Sequence, residues 1–193
     1  MRTGRRVSLL GLVVVLAALL AAGWITQWTK QDPPVEQLTA RPDQEVVINA
    51  DGQSVRFMEL TVGQLYSDGR RAQATRARYL LVTVRLTTPR QRSMISFDCE
   101  AQQGGDKYRP IGLGRTNFPE PGQRTSSAIA FEFDPDRAAE LRIVCKESTT
   151  IIFRDSTVTF DPGLGRESGR ALLRASSGRV VEEVDATTEP IRP

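Results

Sequence analysis

The stretch Tyr79-Leu80-Leu81-Val82-Thr83-Val84-Arg85-Leu86-Thr87 alternates along its length. Leu80, Val82, Val84 and Leu86 fall on one side, and Tyr79, Thr83, Arg85 and Thr87 on the other, which satisfies a period of two rather than 3.6. The pattern predicts a β-strand with one buried face, and its β-branched residues suit a pleated surface. The same reading extends in both directions. Upstream, Val46 to Ile48 and Val55 to Val62 flank Asp51-Gly52, a hairpin signal. Downstream, Ile95 to Ala101 reads as a strand, and Gly104-Gly105-Asp106 turns the chain into Lys107 to Ile111. Pro121-Gly122 precedes Ser126 to Phe133, where Ile129, Phe131 and Phe133 alternate inward. Asp134-Pro135 supplies a helix N-cap and a first helical position, predicting one turn through Glu140 before Leu141 to Cys145. Thr150 to Phe153 and Ser156 to Phe160 close the series. About eight or nine short strands between residues 44 and 161 predict an all-β domain, a two-sheet sandwich.

The amino end has a different character. Arg2, Arg5 and Arg6 precede 22 residues, Val7 to Trp28, that carry no charge. A helix of that length spans the roughly 30 Å hydrocarbon core of a bilayer. Residues 7–28 therefore read as one N-terminal transmembrane anchor, with residues 1–6 cytoplasmic under the positive-inside rule and the rest of the chain outside. Trp24 and Trp28, four apart at the outer end, suit the membrane interface. The alternative is a cleaved secretory signal, but the apolar stretch is long for one and Ala21-Ala22-Gly23 is a poor cleavage site. Residues 29–43, with Pro33, Pro34 and Pro42, read as a semi-extended stalk. Residues 162–193 hold little apolar material and read as a flexible C-terminal tail, in which Ala171 to Arg174 forms at most a helical turn.

Composition narrows the chemistry. With Arg2, Arg5 and Arg6 set aside, the 26 basic residues fall to 23, equal to the 23 acidic ones. A basic anchor on a neutral domain argues against a nucleic-acid partner, which calls for a basic domain. The chain has no histidine, so Ser-His-Asp and Cys-His nucleophiles and His-containing zinc sites are excluded. Cys99 and Cys145 lie in strand-like runs whose alternation points both sulfurs inward, Cys99 with Ile95 and Phe97, Cys145 with Leu141 and Ile143. In an oxidising compartment they are expected to form a disulfide across the core. The chain-entropy model values such a bridge at about 4 kcal/mol.

At Arg78-Tyr79-Leu80-Leu81-Val82-Thr83-Val84-Arg85-Leu86-Thr87, Lys107-Tyr108-Arg109-Pro110, Pro121-Gly122 and Ala130-Phe131-Glu132-Phe133, the chain resembles a class of bacterial envelope modules. These are membrane- or lipid-anchored immunoglobulin-like domains of unknown function, to which a secreted immunoprotective mycobacterial antigen is related. The resemblance covers residues 44–161 and implies export and an immunoglobulin-like sandwich. It carries over no active site. Antibody-type domains differ: no Trp lies between the two cysteines, and Ile143 stands two before Cys145, where a tyrosine corner needs Tyr.

Candidate sites are few. Arg70, Arg71, Arg76 and Arg78 cluster in a loop predicted over Asp68 to Arg78, extended by Arg85, Arg90 and Arg92. They offer contacts to an anionic partner such as a lipid headgroup, a wall polymer or an acidic protein, against the plain reading of solvated surface charge. Gly163-Leu164-Gly165-Arg166-Glu167-Ser168-Gly169 faintly echoes a phosphate loop but lacks the glycine spacing and any βαβ context. Asp134, Asp136, Asp155 and Asp161 do not form a calcium-loop pattern. No metal, cofactor or catalytic residue is assigned. The expected function is a non-enzymatic binding or scaffolding module, held in the cell membrane by a single-pass anchor and displayed outside it. An accessory subunit of a membrane complex is the alternative, with Gly11, Ala17, Ala18, Ala21 and Ala22 as small helix-packing faces. A hydrolase-like enzyme is the minor one.

Overall fold

The computed structural model describes residues 37–92, 96–111, 115–147 and 156–192. The expected anchor at 7–28, its flank 1–6, Ile95 and the strand expected at Thr150 to Phe153 lie outside the described residues. No helix among the described residues is long and apolar enough to cross a membrane.

The alternating stretch around Val82 lies within a 17-residue strand, β4 (Ala72–Thr88). It is the middle of a sheet ordered β12 (Val180–Glu182), β3 (Ser54–Ser67), β4, β9 (Gln123–Phe133), β13 (Thr187–Pro190). Two short strands extend that sheet: β2 (Glu45–Val47) pairs with β3, and β7 (Pro110–Ile111) with β9. A second sheet runs β1 (Gln37–Ala40), β11 (Thr157–Phe160), β10 (Arg142–Glu147), β5 (Ser96–Gln103), β6 (Asp106–Tyr108), with β8 (Arg115–Asn117) also on β5. The protein is thus a mostly β, two-sheet sandwich, as the alternation predicted.

The hairpin expected at Asp51-Gly52 joins β2 to β3, with Val46 opposite Val55 and Gly52 at φ 79°. That left-handed backbone favours glycine. The helical turn expected after Asp134 is a 3-10 helix, Pro135–Glu140, whose first turn is capped by the Asp134 carboxylate accepting from the Asp136 N–H. The buried Gln103 side chain fixes this turn to β5, donating to Asp134 O at 2.7 Å and accepting from Asp134 N at 3.0 Å.

Between the sheets lies one apolar core. Leu80, Val82, Val84 and Leu86 from β4, Ile129, Phe131 and Phe133 from β9, and Ile143, Val158 and Phe160 from the facing sheet belong to it. Cys99 and Cys145 are in the same cluster and bonded, as the inward phase implied. The bridge does not run across the core, however. Cys99 on β5 and Cys145 on β10 are direct antiparallel partners with Cα atoms 4.0 Å apart, so the bond joins neighbouring strands of one sheet. Alternation fixes which way a side chain points, not which sheet its strand joins.

Two boundaries move. The expected stalk 29–43 overlaps β1, whose Leu38 pairs with Val158 in a parallel ladder. The expected tail 162–193 is part of the domain. Leu164 is buried in the main core, and Leu172 and Leu173 of α1 (Glu167–Arg174) pack against it. Beyond α1, β12 adds to the free side of β3 and β13 to that of β9, so this segment borders both edges of one sheet. Leu164 and Val181 are fully buried, whereas Val180 and Val184 are exposed; Gly165 and Gly169 permit close approach. A Cβ on Gly169 would overlap Gly163 O and Leu164 Cα, and one on Gly165 would come within 2.7 Å of the Ala139 Cβ.

Two measurements check this architecture. Cys145→Ala is expected to lower stability by about 2 to 5 kcal/mol, and thiol labelling of the denatured, unreduced chain to find no free cysteine. Deleting residues 176–193 is expected to lower stability in urea by at least about 2 kcal/mol, because it removes the buried Val181 and uncovers the rings beneath it. An unchanged midpoint would restore the tail reading.

Candidate functional site

The arginine loop predicted over Asp68 to Arg78 is mostly strand. Only residues 68–71 form the tip between β3 and β4; Arg76 and Arg78 are part of β4. Between Gly63 opposite Tyr79 and Leu65 opposite Ala74, β3 advances by two residues while β4 advances by five. Thr75 to Arg78 is therefore a bulge, and bulges bend and twist the strand that carries them. Beyond it the hairpin arm lies over the sheet's outer face. Tyr66 from the arm packs with Tyr79, Leu81, Ala130 and Val181, and its ring centroid is 5.7 Å from that of Tyr79.

The four predicted arginines divide between the hairpin tip and the bulge. Arg70 and Arg71 are exposed at the tip, their backbone N–H groups donating to Asp68 Oδ1 at 2.8 Å each. Those two bonds, that from Arg71 first, hold the Asp68 carboxyl below the usual carboxylate range. Arg76 is exposed on the bulge. Arg78 serves the fold: its Nε donates to Ser176 Oγ at 2.9 Å, and Ser176 is fully buried at the end of α1. Of the extended set, Arg92 pairs with Glu120 at 2.8 Å and Arg90 is exposed. Arg78 is thus tied to the fold, while Arg70, Arg71 and Arg76 stay exposed on the arm.

A different group of arginines converges, at the far end of the same outer face. Arg56 on β3 and Arg85 on β4 are direct cross-strand partners; Ser126 on β9 is opposite Arg85, and Arg124 is opposite Thr87. Val55, Phe57, Val84 and Leu86 are buried, so alternation turns Arg56 and Arg85 outward. The sequence offers no way to place Arg56 and Arg124, respectively 29 and 39 positions away, beside Arg85. Only the register does.

The remaining candidates are structural. The glycine-rich stretch at 163–169 is the tight entry to α1. Asp134 caps the 3-10 helix; Asp161 pairs with Arg142 and Arg166, both at 3.3 Å, and Asp155 lies outside the described residues. Tyr66 donates to Glu183 Oε2 at 2.7 Å, which ties the arm to the C-terminal segment.

No family model matches the chain, and no curated protein matches it. Among solved structures it is similar to the yjhA protein from Bacillus subtilis, with a TM-score of 0.46 at 10% identity over 63% of this chain and 99% of that one. It is also similar to an uncharacterized β-sandwich protein from Clostridium difficile 630, with a TM-score of 0.38 at 6% identity over 67% of this chain and 97% of that one.

Burial, then the bond to Glu183 and the charges of Glu183 and Asp68, push the Tyr66 hydroxyl well above its usual range. A pKa raised in the folded state means that the unfolded chain releases this proton first. The contribution is fully present below the unfolded tyrosine pKa of about 10 and is lost progressively as pH rises above it. Urea midpoints measured from pH 9 to 11 are expected to fall, and to fall less steeply in Tyr66→Phe.

Proposed function

We propose that the chain is a membrane-tethered binding module: one β-sandwich displayed outside the cytoplasmic membrane, with no chemistry of its own. The observation that carries this reading is the sequence Arg2, Arg5 and Arg6 followed by 22 uncharged residues, an anchor whose positive flank stays in the cytoplasm. The Cys99–Cys145 bond supports it, since disulfides persist in oxidising compartments. So does the balance of 23 basic and 23 acidic residues beyond the arginine flank.

In the same reading the sandwich belongs with immunoglobulin-like envelope domains, of a kind that lacks the inter-sheet bridge of antibody-type domains. Because β1 begins at Gln37, only residues 29–36 remain as spacer.

Protease added to intact spheroplasts is expected to digest the domain, while the untreated protein fractionates with membranes. A protected domain would reverse the orientation. A soluble mature form beginning near Trp24 would replace the anchor with a cleaved signal.

A further inference from the structure

The outer face of the seven-stranded sheet divides near Thr83. On one side the arm and β12 cover Tyr79, Leu81 and Ala130. On the other side Arg56, Arg85 and Arg124 lie on three adjacent strands. Strands are about 4.8 Å apart, so the bases of these side chains lie close together. Like charges directly opposite across a sheet oppose its formation, and Arg56 and Arg85 are so placed.

The chain answers with three carboxylates, the first being Glu45 on β2, which lies directly opposite Arg56 and accepts from Ser54 Oγ. Asp43 takes Arg56 Nη2 at 3.0 Å from a left-handed backbone, φ 65°, and Glu189 on β13 takes Arg124 Nε at 2.7 Å. Arg85 stands between those pairs. Among the described residues its guanidinium has one hydrogen bond, to Ser126 Oγ at 3.3 Å, which leaves most of its five N–H donors without a protein partner. The bond to Arg124, and then the fields of Arg85 and Arg192, hold the Glu189 carboxyl below its usual range. The pair with Arg124 places a carboxylate oxygen at this point of the face.

We propose that this row is a binding site for a flexible chain bearing repeated oxyanions, phosphate or carboxylate, with Arg85 as the central contact, Arg56 and Arg124 flanking it, and Glu189 as the internal carboxylate that the ligand displaces. Arginine forks match both groups through paired N–H donors, and three of them in a row favour a ligand with several charges. A membrane surface is the weaker occupant. Attraction to anionic lipid scales with net basic charge near the surface, and the chain beyond its arginine flank has none. The proposal rests on the reading of the chain as a displayed binding module and names what that module takes.

The test uses the full chain in uncharged detergent micelles, titrated calorimetrically with tripolyphosphate and, separately, with hexaglutamate. At least one probe is expected to bind, with an affinity that falls as salt rises, and the one that binds identifies the oxyanion. Arg85→Gln is expected to weaken binding by about tenfold without moving the urea midpoint. Glu189→Gln is expected to strengthen it several-fold, an effect that a purely structural Glu189 would not produce. The tip variant Arg70→Gln/Arg71→Gln is expected to bind as the parent does. Binding of neither probe, equal binding by Arg85→Gln and parent, or capture only by vesicles containing anionic phospholipid would overturn the site. The spheroplast digestion reads orientation independently, so a protected domain would remove the display reading while leaving this titration intact.

Discussion

The stacked rings of Phe57 and Phe160, 4.3 Å between centroids and 5° from parallel, join the two sheets at the centre of the core. Phe57 comes from β3 and Phe160 from β11, and both are essentially inaccessible to solvent. Apolar burial is the main favourable term in folding, and two large rings in face-to-face contact between sheets set the spacing to which other side chains fit. Around them Leu86, Phe131, Phe133 and Ile143 fill the same layer. The Cys99–Cys145 bond holds β5 to β10 within one wall of this layer, so it stiffens a sheet, while the rings keep the sheets together.

That core explains where the chain's polar chemistry is allowed to be. Most inward positions of β3, β4 and β9 are taken by apolar groups, and Arg56, Arg85 and Arg124 leave by the outer face. Half of that face is then closed by the bulged arm with Tyr66, and by β12 with Val181 lying over Gly63, where any Cβ would meet Val181 Cγ2 at 2.6 Å. The remaining half holds Arg56, Arg85 and Arg124. Division of one sheet face into a covered apolar part and an open cationic part follows from a single register irregularity, the one between Gly63 and Leu65.

How much of this the sequence discloses depends on the range of the interaction involved. Local period was enough for β4, for the Asp51-Gly52 hairpin, for the Asp134 cap and for the inward phase of both cysteines. Sheet membership was not legible, because the pairing of Cys145 with Cys99 is a choice among strands that alternate equally well. The C-terminal segment read as a tail because its burial is spread over isolated residues: Leu164, Gly169, Ser176 and Val181 form no periodic stripe, yet each is buried. Arginines show the same limit. Arg70, Arg71, Arg76 and Arg78 are neighbours along the chain, yet the fold ties Arg78 to Ser176, whereas Arg56, Arg85 and Arg124 come onto adjacent strands only through pairing.

The C-terminal strand β13 connects fold and site. Its four residues are all exposed, and it is held by backbone pairing with β9, by a hydroxyl contact between Thr188 and Thr125, and by the Glu189–Arg124 pair. Exposed ion pairs contribute little to stability, typically below about 1 kcal/mol. The strand therefore does not depend on Glu189 to stay paired, and Glu189 can give up Arg124 to an incoming oxyanion without unfolding the edge. Asp43 differs: its left-handed turn is closed by its own N–H donating to Phe57 O at 2.7 Å, which fixes it beside Arg56. Both flanking arginines thus have exposed carboxylate partners, Asp43 on the more firmly held backbone, and Arg85 between them has none paired to it directly.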